Sequence, residues 1–185
     1  MEGKMIGIGA QFPKFKKKAV VSIEQGNEFY DITSEDHINS KKWMVMFWWP
    51  KDFTFVCPTE IAEFNQNFDN FLKRDTMLLG ASTDSEYVHL AWRMHHQDLK
   101  NLQFPMIADT SKSLAADLGI LTYDEKVAYR ATYIVDPQGT VRWVSAYDLN
   151  VGRNVNEVVR VLDALQTGEL CPCNWSPGQK TLSKA

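Results

Sequence analysis

The sequence predicts an α/β domain in which helices flank a mixed central β-sheet. Two observations predict it: short apolar runs alternate with segments whose apolar residues recur at helical spacing, and a β-hairpin pattern follows late in the chain. A chain of 185 residues can bury a core of its own without disulfides or metals. We therefore predict one domain over residues 1–170 and an extended, loosely held C-terminal tail over 171–185, where Pro, Gly and Ser occur without periodicity.

The predicted strands of the first half are short and are bounded by turn-forming residues. Short strand signals at 19–23 and 28–33 flank a turn-like segment and predict an N-terminal hairpin. Unbroken apolar runs at 43–49 and 76–82 are typical of strands buried on both faces. Between these two runs, apolar residues at helical spacing predict a single helix from Pro58 to Lys73, with the proline as its first residue.

The second half carries clear signals for helix ends. Asp84 or Ser85 is placed to cap a helix, and Asn154 with Glu157 three residues later resembles the capping box of another. Gly168 closes that last helix. The other predicted elements are a strand at 104–109, a helix at 112–118 ended by Gly119, and a hairpin with strands at 129–136 and 141–147.

The composition argues against several classes of function. A net charge of −3 and a pI near 5.8 argue against nucleic acid as the main partner, and the basic run Lys14–Lys18 is interpreted as a solvated edge or loop. No apolar run approaches the ~18 residues of a membrane span, so we expect no membrane insertion. Residues 1–18 lack the apolar core of a signal peptide, so we expect none. Three cysteines in a chain of this size do not form a secreted disulfide framework, and we expect a cytoplasmic protein.

Cys57 lies where a predicted core strand gives way to a helix. The thiolate is the reactive form of cysteine, and unpaired N–H groups at a helix N-terminus favour the anion. Pro50 restricts the exit from the strand, and Thr54 can direct its hydroxyl at whatever the sulfur attacks. The alternative is a buried and inert cysteine. The position favours a catalytic cysteine over an inert one.

The surroundings of Cys57 resemble a known family. The spacing Pro50-x-x-x-Thr54-x-x-Cys57 is similar to the active-site signature of the peroxiredoxins, and DFTFVCPTE resembles their typical two-cysteine branch. The resemblance runs from Trp43 to Trp175 and points to the alkyl hydroperoxide reductase group. Later segments match the family in order: GASTDSEYVHLAW, FPMIAD, VAYRATYIVDPQGTVR, VGRNVNEVVRVLDALQ and GELCPCNW.

The resemblance implies a thioredoxin-like fold and a thiol-dependent peroxidase that reduces hydrogen peroxide and organic hydroperoxides. It gives Cys57 the role of peroxidatic cysteine, Thr54 that of peroxide-binding residue and Arg130 that of active-site arginine, which Glu60 steadies. Attack of a thiolate on an O–O bond moves negative charge to the far oxygen, where a guanidinium and a hydroxyl can stabilise it. Without the resemblance, Arg130 would be interpreted as a surface charge on a strand.

The other two cysteines lie in the tail segment CPC. By resemblance Cys171 is the resolving cysteine, which condenses with the sulfenic acid of Cys57 in a neighbouring subunit. The implied assembly is a homodimer that builds a decamer or larger ring. Cys173 stands where most relatives have a small residue. It is interpreted either as a second thiol that passes the disulfide outward or as a spare exposed thiol.

The expected electron donor is a protein dithiol: thioredoxin, a flavin-dependent reductase or a small C-x-x-C protein. We expect no organic cofactor, because neither G-x-G-x-x-G nor a P-loop occurs. We expect no metal, because Cys171, Cys173, His95 and His96 lack the spacing of a structural zinc site. Two other interpretations stay open. One is an oligomeric, redox-regulated chaperone or signalling scaffold; the other is an idle binding module, against which the complete signature argues.

Overall fold

The structure of the protein, a computed structural model, describes residues 4–183. Contacts divide the chain into two compact units, Met1–Arg153 and Asn154–Ala185. Among the described residues, the strands of the sheet all belong to the first unit, and the second unit begins with the last helix. The domain boundary predicted between residues 170 and 171 rests on the role expected of the tail and stays a prediction.

A mixed sheet forms the centre of the first unit. Within residues 4–183 its seven strands are β1 (Lys16–Val20), β2 (Phe29–Thr33), β3 (Trp43–Trp48), β4 (Thr76–Ser82), β5 (Met106–Ala108), β6 (Arg130–Val135) and β7 (Val141–Tyr147). Their order across the sheet is β2-β1-β5-β4-β3-β6-β7. The pairs β3–β4 and β4–β5 are parallel, and the other four pairs are antiparallel. The prediction of a mixed sheet with an N-terminal hairpin agrees with this topology.

Strands β3 and β4 are almost entirely buried because their apolar runs leave no polar face for water. Gly80 in β4 lies against three aromatic rings. A Cβ at this position would come within 2.8 Å of Trp49 and 3.1 Å of Phe47 and Phe104, so only glycine leaves room for the rings. β3 ends at Trp48, and the loop that follows it carries the signature residues to Cys57.

Six α-helices occur among the described residues: α1 (Ser34–Ser40), α2 (Cys57–Gln66), α3 (Phe68–Leu72), α4 (Glu86–His95), α5 (Ser113–Asp117) and α6 (Val155–Thr167). The prediction of one helix over 58–73 was wrong, because Asn67 separates α2 from α3 and turns its side-chain amide to the Glu63 carbonyl at 3.0 Å. Pro58 is the second residue of α2 rather than its first. Ser85, one of the two residues predicted to cap α4, does so by accepting from the Val88 N–H.

The N-terminal part differs from prediction in two ways. Strand β1 covers Lys16–Val20 instead of 19–23, and helix α1 was not predicted although Thr33 and Asp36 form a complete capping box before it. The basic run is therefore partly a strand. Lys17 is mostly buried: its Nζ lies 2.6 Å from Oδ1 of the buried Asp109, which explains why a lysine is tolerated in the sheet.

The second unit consists of α6 and the segment after it. Asn154 caps α6 by accepting from the Glu157 N–H, but the Glu157 carboxylate pairs with Arg160 and does not complete the predicted capping box. Gly168 ends α6 in a left-handed conformation, as predicted. The tail is held more firmly than predicted: Trp175 is buried, and a β-bridge joins Leu170 to Leu182.

Candidate active site

Cys57 is the first residue of α2, and its side chain is fully buried. No side chain caps this helix, so its first turn presents the positive end of the helix dipole without a competing acceptor from the preceding residue. Parallel pairing of β3 with β4 fixes the point at which the chain leaves the sheet, at Trp48, nine residues before the helix begins at Cys57. The sulfur therefore lies in the interior, at the end of a helix that favours an anion.

Two hydrogen-bond donors converge on the sulfur. The Thr54 Oγ1 lies 3.0 Å from Cys57 Sγ, and the Arg130 Nη1 lies 3.3 Å from it. The same threonine oxygen is 3.0 Å from the Lys51 carbonyl, so its single hydroxyl proton can turn to either acceptor. The Arg130 Nε donates to the Leu149 carbonyl at 2.8 Å, which fixes the plane of the guanidinium. Both donors stabilise a thiolate more than a thiol.

Glu60 joins two arginines behind the sulfur. Its Oε2 lies 2.6 Å from Arg130 Nη1, and its two oxygens accept from Arg153 Nε and Nη2 at 2.8 and 2.9 Å. All three side chains are buried. Two cations and one anion leave a single positive charge in the interior, which a thiolate at Cys57 would balance. The charge count of the site thus favours an ionised sulfur.

Arg153 was not identified from the sequence, although it lies in the quoted segment VGRNVNEVVRVLDALQ. Its backbone N–H and guanidinium both bind Glu60, and Nη1 donates to the Ala131 carbonyl at 3.1 Å. The guanidinium carbon also lies 5.3 Å from the centre of the Phe47 ring. Burial lowers the pKa of Arg153 from its ordinary value, and Glu60 opposes that shift. A local pattern could not reveal a partner 93 residues away.

A pocket of about 230 Å³ opens beside the two donors. Pro50 lines it, together with Thr54 and Arg130, so four of the predicted residues meet at this place when the sulfur is included. The remaining lining residues are Lys51, Phe55, Val56, Glu125, Val127, Leu149 and Asn150. A water molecule occupies ~30 Å³ of liquid, so the pocket has room for a hydroperoxide with an organic substituent. Its carbon-rich wall suits such a group.

A second buried cluster stands behind the signature loop and was also missed from the sequence. Asp52 accepts from Trp49 Nε1 at 2.7 Å and lies 2.6 Å from His89 Nδ1, and the acid and the histidine are both fully enclosed. Burial raises the pKa of Asp52, while contact with His89 and Trp49 opposes that shift. One feature of the sequence could have indicated this cluster: His89 lies three residues before Trp92, on the apolar face of α4.

Cys171 and Cys173 belong to the second unit, where their surroundings are described by themselves. All three cysteines of the chain are unpaired. Cys171 is half-buried, with its Sγ 3.6 Å from Thr167 Oγ1 and 3.8 Å from the Ala164 carbonyl, and Cys173 is exposed. Arg160 donates to the Trp175 carbonyl at 2.9 Å, and its ion pair with Glu157 raises the pKa of the guanidinium.

Neither a metal-binding cluster nor a membrane-spanning helix occurs in the described part of the chain. Within residues 4–183, no three His, Cys, Asp or Glu side chains come together as a metal ion would require. Over the same residues, no helix is both long enough and apolar enough to span a bilayer.

Comparison with known proteins gives consistent matches over most of the chain. The model of the AhpC/TSA family matches residues 8–144, and that of the C-terminal domain of 1-Cys peroxiredoxin matches 164–185. Alkyl hydroperoxide reductase C of Mycobacterium tuberculosis is 49% identical, with 96% of this chain and 94% of the relative covered. Thioredoxin peroxidase of Echinococcus granulosus is 41% identical, with 94% and 91% covered.

Two solved structures are also similar to this chain over most of its length. Mycobacterium bovis AhpC matches with a TM-score of 0.84 and 48% identity, over 93% of this chain and 99% of the other. The reduced 2-Cys peroxiredoxin of Plasmodium vivax matches with a TM-score of 0.88 and 34% identity, over 95% of this chain and 92% of the other.

Proposed function

This chain belongs to the AhpC/TSA family of thiol peroxidases, and from this premise we propose that its reaction begins at the thiolate of Cys57. The resemblance to peroxiredoxins and the thioredoxin-like fold predicted from the sequence are confirmed by these relatives. The roles of the individual residues are the proposal, and they are supported by the contacts around the sulfur.

The proposed first step is attack of the Cys57 thiolate on the O–O bond of a hydroperoxide. An S–O bond forms and the O–O bond breaks; the sulfur is oxidised to sulfenic acid, which keeps the proton of the hydroperoxide, and the alkoxide or hydroxide that leaves takes a proton from solvent to become an alcohol or water. Negative charge moves from sulfur to the leaving oxygen. Thr54 and Arg130 already lie 3.0 and 3.3 Å from the sulfur, so they can follow the charge to the peroxide oxygens.

One observation carries this proposal: a fully buried sulfur accepts from a hydroxyl and a guanidinium inside a cluster whose charge it balances. An inert core cysteine needs none of these contacts. Pro50 and the carbon-rich lining of the adjacent pocket support organic hydroperoxides as substrates besides hydrogen peroxide. The name alkyl hydroperoxide reductase, carried by a close relative, supports the same class.

We propose that the sulfenic acid then condenses with Cys171 of a second subunit, releasing water. The half-buried thiol follows the end of α6, and its sulfur has weak contacts at 3.6 and 3.8 Å, which supports its movement toward a partner. A homodimer, itself assembled into a ring, supplies that subunit, and Cys173 passes the disulfide to a dithiol protein in the cytoplasm. The name thioredoxin peroxidase, carried by another relative, supports thioredoxin as one such donor.

Peroxide consumption by the purified full chain tests the proposal. Hydrogen peroxide and cumene hydroperoxide are each supplied with thioredoxin and its reductase, a flavin-dependent dithiol reductase, or a small C-x-x-C protein. We expect turnover with at least one donor, and a Cys57–Cys171 disulfide by mass spectrometry when the donor is withheld. Absence of turnover with every donor, together with no oxidation of Cys57, would contradict the proposed function.

A further inference from the structure

The loop between β3 and α2 is anchored in the interior through one side chain. Asp52 lies five residues before Cys57 and is bound on both oxygens, by Trp49 Nε1 at 2.7 Å and by His89 at 2.6 Å. Its backbone N–H also donates to Asp84 Oδ2 at 2.9 Å. These contacts tie the loop to helix α4 and to the end of β4, and no step of the proposed reaction uses them.

The protonation of the cluster follows from its geometry. His89 Nε2 lies 3.1 Å from the Ile107 carbonyl, which can only accept, so Nε2 carries a proton. One further proton is shared between Nδ1 and the Asp52 carboxyl, either as an ion pair or as a neutral pair. Every polar atom of the two side chains is satisfied in both forms. Removing either partner leaves the other buried and unpaired.

The segment held by this anchor has an uncommon backbone. Phe53 has a φ of +56°, a left-handed conformation that a bulky residue seldom adopts, and its ring packs 5.8 Å from that of Trp92. Thr54 follows directly and places its hydroxyl on the sulfur. The position of Thr54 and of the first turn of α2 therefore depends on contacts that hold Phe53 in place, and the Asp52 anchor immediately precedes it.

Cys57 has two competing fates after its first oxidation. In one, Cys57–SOH and a second thiol form a disulfide and release water; in the other, Cys57–SO⁻ and a second hydroperoxide give the sulfinate and an alcohol or water. The sulfur is fully enclosed, so a second thiol reaches it only after the loop opens. The second oxidation needs the sulfur to stay beside Thr54 and Arg130.

We propose that the Trp49–Asp52–His89 cluster is a positioning device that sets the balance between these two fates. A firm anchor keeps Cys57 beside its donors, which favours reaction with peroxide and exposes the sulfenic acid to a second oxidation. A weakened anchor favours opening and disulfide formation. This inference rests on the proposed function, because it concerns the sulfenic acid formed at Cys57.

The test compares Asp52→Ala with Asp52→Asn in the full-length chain. Asparagine keeps an oxygen for Trp49 and an amide that can donate to Nδ1 of a neutral His89, whereas alanine leaves both partners unpaired. His37→Gln is the matched control, because His37 is a buried histidine on α1 whose Nε2 binds the Lys42 carbonyl. Mass spectrometry measures the sulfinate formed per turnover at rising peroxide, and stopped-flow fluorescence measures disulfide formation.

We expect Asp52→Ala to speed disulfide formation about tenfold and to lower sulfinate per turnover by a similar factor, the combined effect of two lost buried hydrogen bonds on an opening equilibrium. Asp52→Asn and His37→Gln should match the wild type. If Asp52→Ala does not fold, Trp49→Phe removes only the indole N–H and should show the same direction at about threefold.

An unchanged balance between sulfinate and disulfide in Asp52→Ala would overturn the inference. If that variant does not fold, the same result in Trp49→Phe would overturn it. An equal change in His37→Gln would overturn it as well. So would Asp52→Asn behaving like Asp52→Ala. In these cases Cys57 still reacts with peroxide and the proposed function stands. Failure of Cys57 to react in the wild type would overturn the proposed function itself.

Discussion

The two places where this chain carries thiols are built in opposite ways. Cys57 is fully buried at the start of a helix and takes hydrogen bonds from a hydroxyl and a guanidinium at 3.0 and 3.3 Å. Cys171 and Cys173 follow the end of a helix, one half-buried and one exposed, and the Cys171 sulfur has neutral neighbours at 3.6 and 3.8 Å. The first sulfur is enclosed and held by hydrogen-bond donors, and the other two are more accessible.

The difference matches the different demands of the proposed steps. A sulfur that attacks peroxide must be an anion and must have donors in place before charge moves. A thiol that meets the sulfenic acid of another subunit, or a reductant, must travel. A fixed site requires charged groups to be buried, which is unfavourable for each group alone. In the first unit these groups are Glu60, Arg130 and Arg153. The second unit places its Glu157–Arg160 pair partly in solvent.

The largest effect should come from replacing the buried sulfur. Cys57→Ser should abolish peroxide turnover with every reductant and leave the fold intact, because a hydroxyl is not ionised at neutral pH. Peroxide consumption and circular dichroism measure the two properties. Substantial turnover in a folded Cys57→Ser chain would mean that the accessible thiols react first.

Replacing either hydrogen-bond donor to the Cys57 sulfur should have the second largest effect. Arg130→Met and Thr54→Val should each slow Cys57 oxidation on the order of 10²–10³-fold, the usual effect of removing one such contact. Stopped-flow measurement of the first turnover gives the rate. Thr54→Ser keeps the hydroxyl and is the control, expected near wild type; equal losses in serine and valine variants would assign Thr54 a packing role instead.

Replacing Cys171 and replacing Cys173 should have different effects. Cys171→Ser should leave the first oxidation of Cys57 unchanged but prevent the covalent dimer on non-reducing gels. Cys173→Ser should still form that dimer and should slow its reduction by the partner protein severalfold. The reverse pattern, in which only Cys173→Ser loses the dimer, would show that Cys173 is the resolving thiol.

The ion pairs of the two units offer a matched pair of mutations. Glu60→Gln leaves two buried guanidinium groups without their carboxylate and should lower the free energy of unfolding by ~3–5 kcal/mol. Glu157→Gln breaks a pair whose groups are about one-third and two-fifths exposed, and should cost ~0–1 kcal/mol. Urea denaturation measures both; similar losses would contradict the assignment of Glu60 to a buried network.

Much of the fold follows from local patterns in the sequence. The apolar run at 76–82 corresponds residue for residue to β4, and the turn residues near Gly139 lie between β6 and β7. Local patterns do not predict an element whose formation depends on contacts with residues distant in the sequence. Lys17 lies in a strand because Asp109, 92 residues later, neutralises it, and no spacing in the basic run indicates that partner.

The site shows the same limit. The signature from Pro50 to Cys57 is contiguous and could be found by resemblance, and Arg130 came with it. The positions of Arg153 and of the Asp52–His89 pair were not found, because each depends on a partner 93 or 37 residues distant in the chain. Their chemistry becomes visible only when burial and distance are known.

The most direct test of the account is to locate the first oxygen atom that peroxide delivers. The reduced full-length chain is mixed with one equivalent of hydrogen peroxide, sulfenic acid is trapped with dimedone within the first turnover, and the adduct is mapped by mass spectrometry. We expect label on Cys57, with its rate of appearance reduced on the order of 10²–10³-fold in Arg130→Met. Label that appears first on Cys171 or Cys173, or a rate that Arg130→Met leaves unchanged, would contradict it.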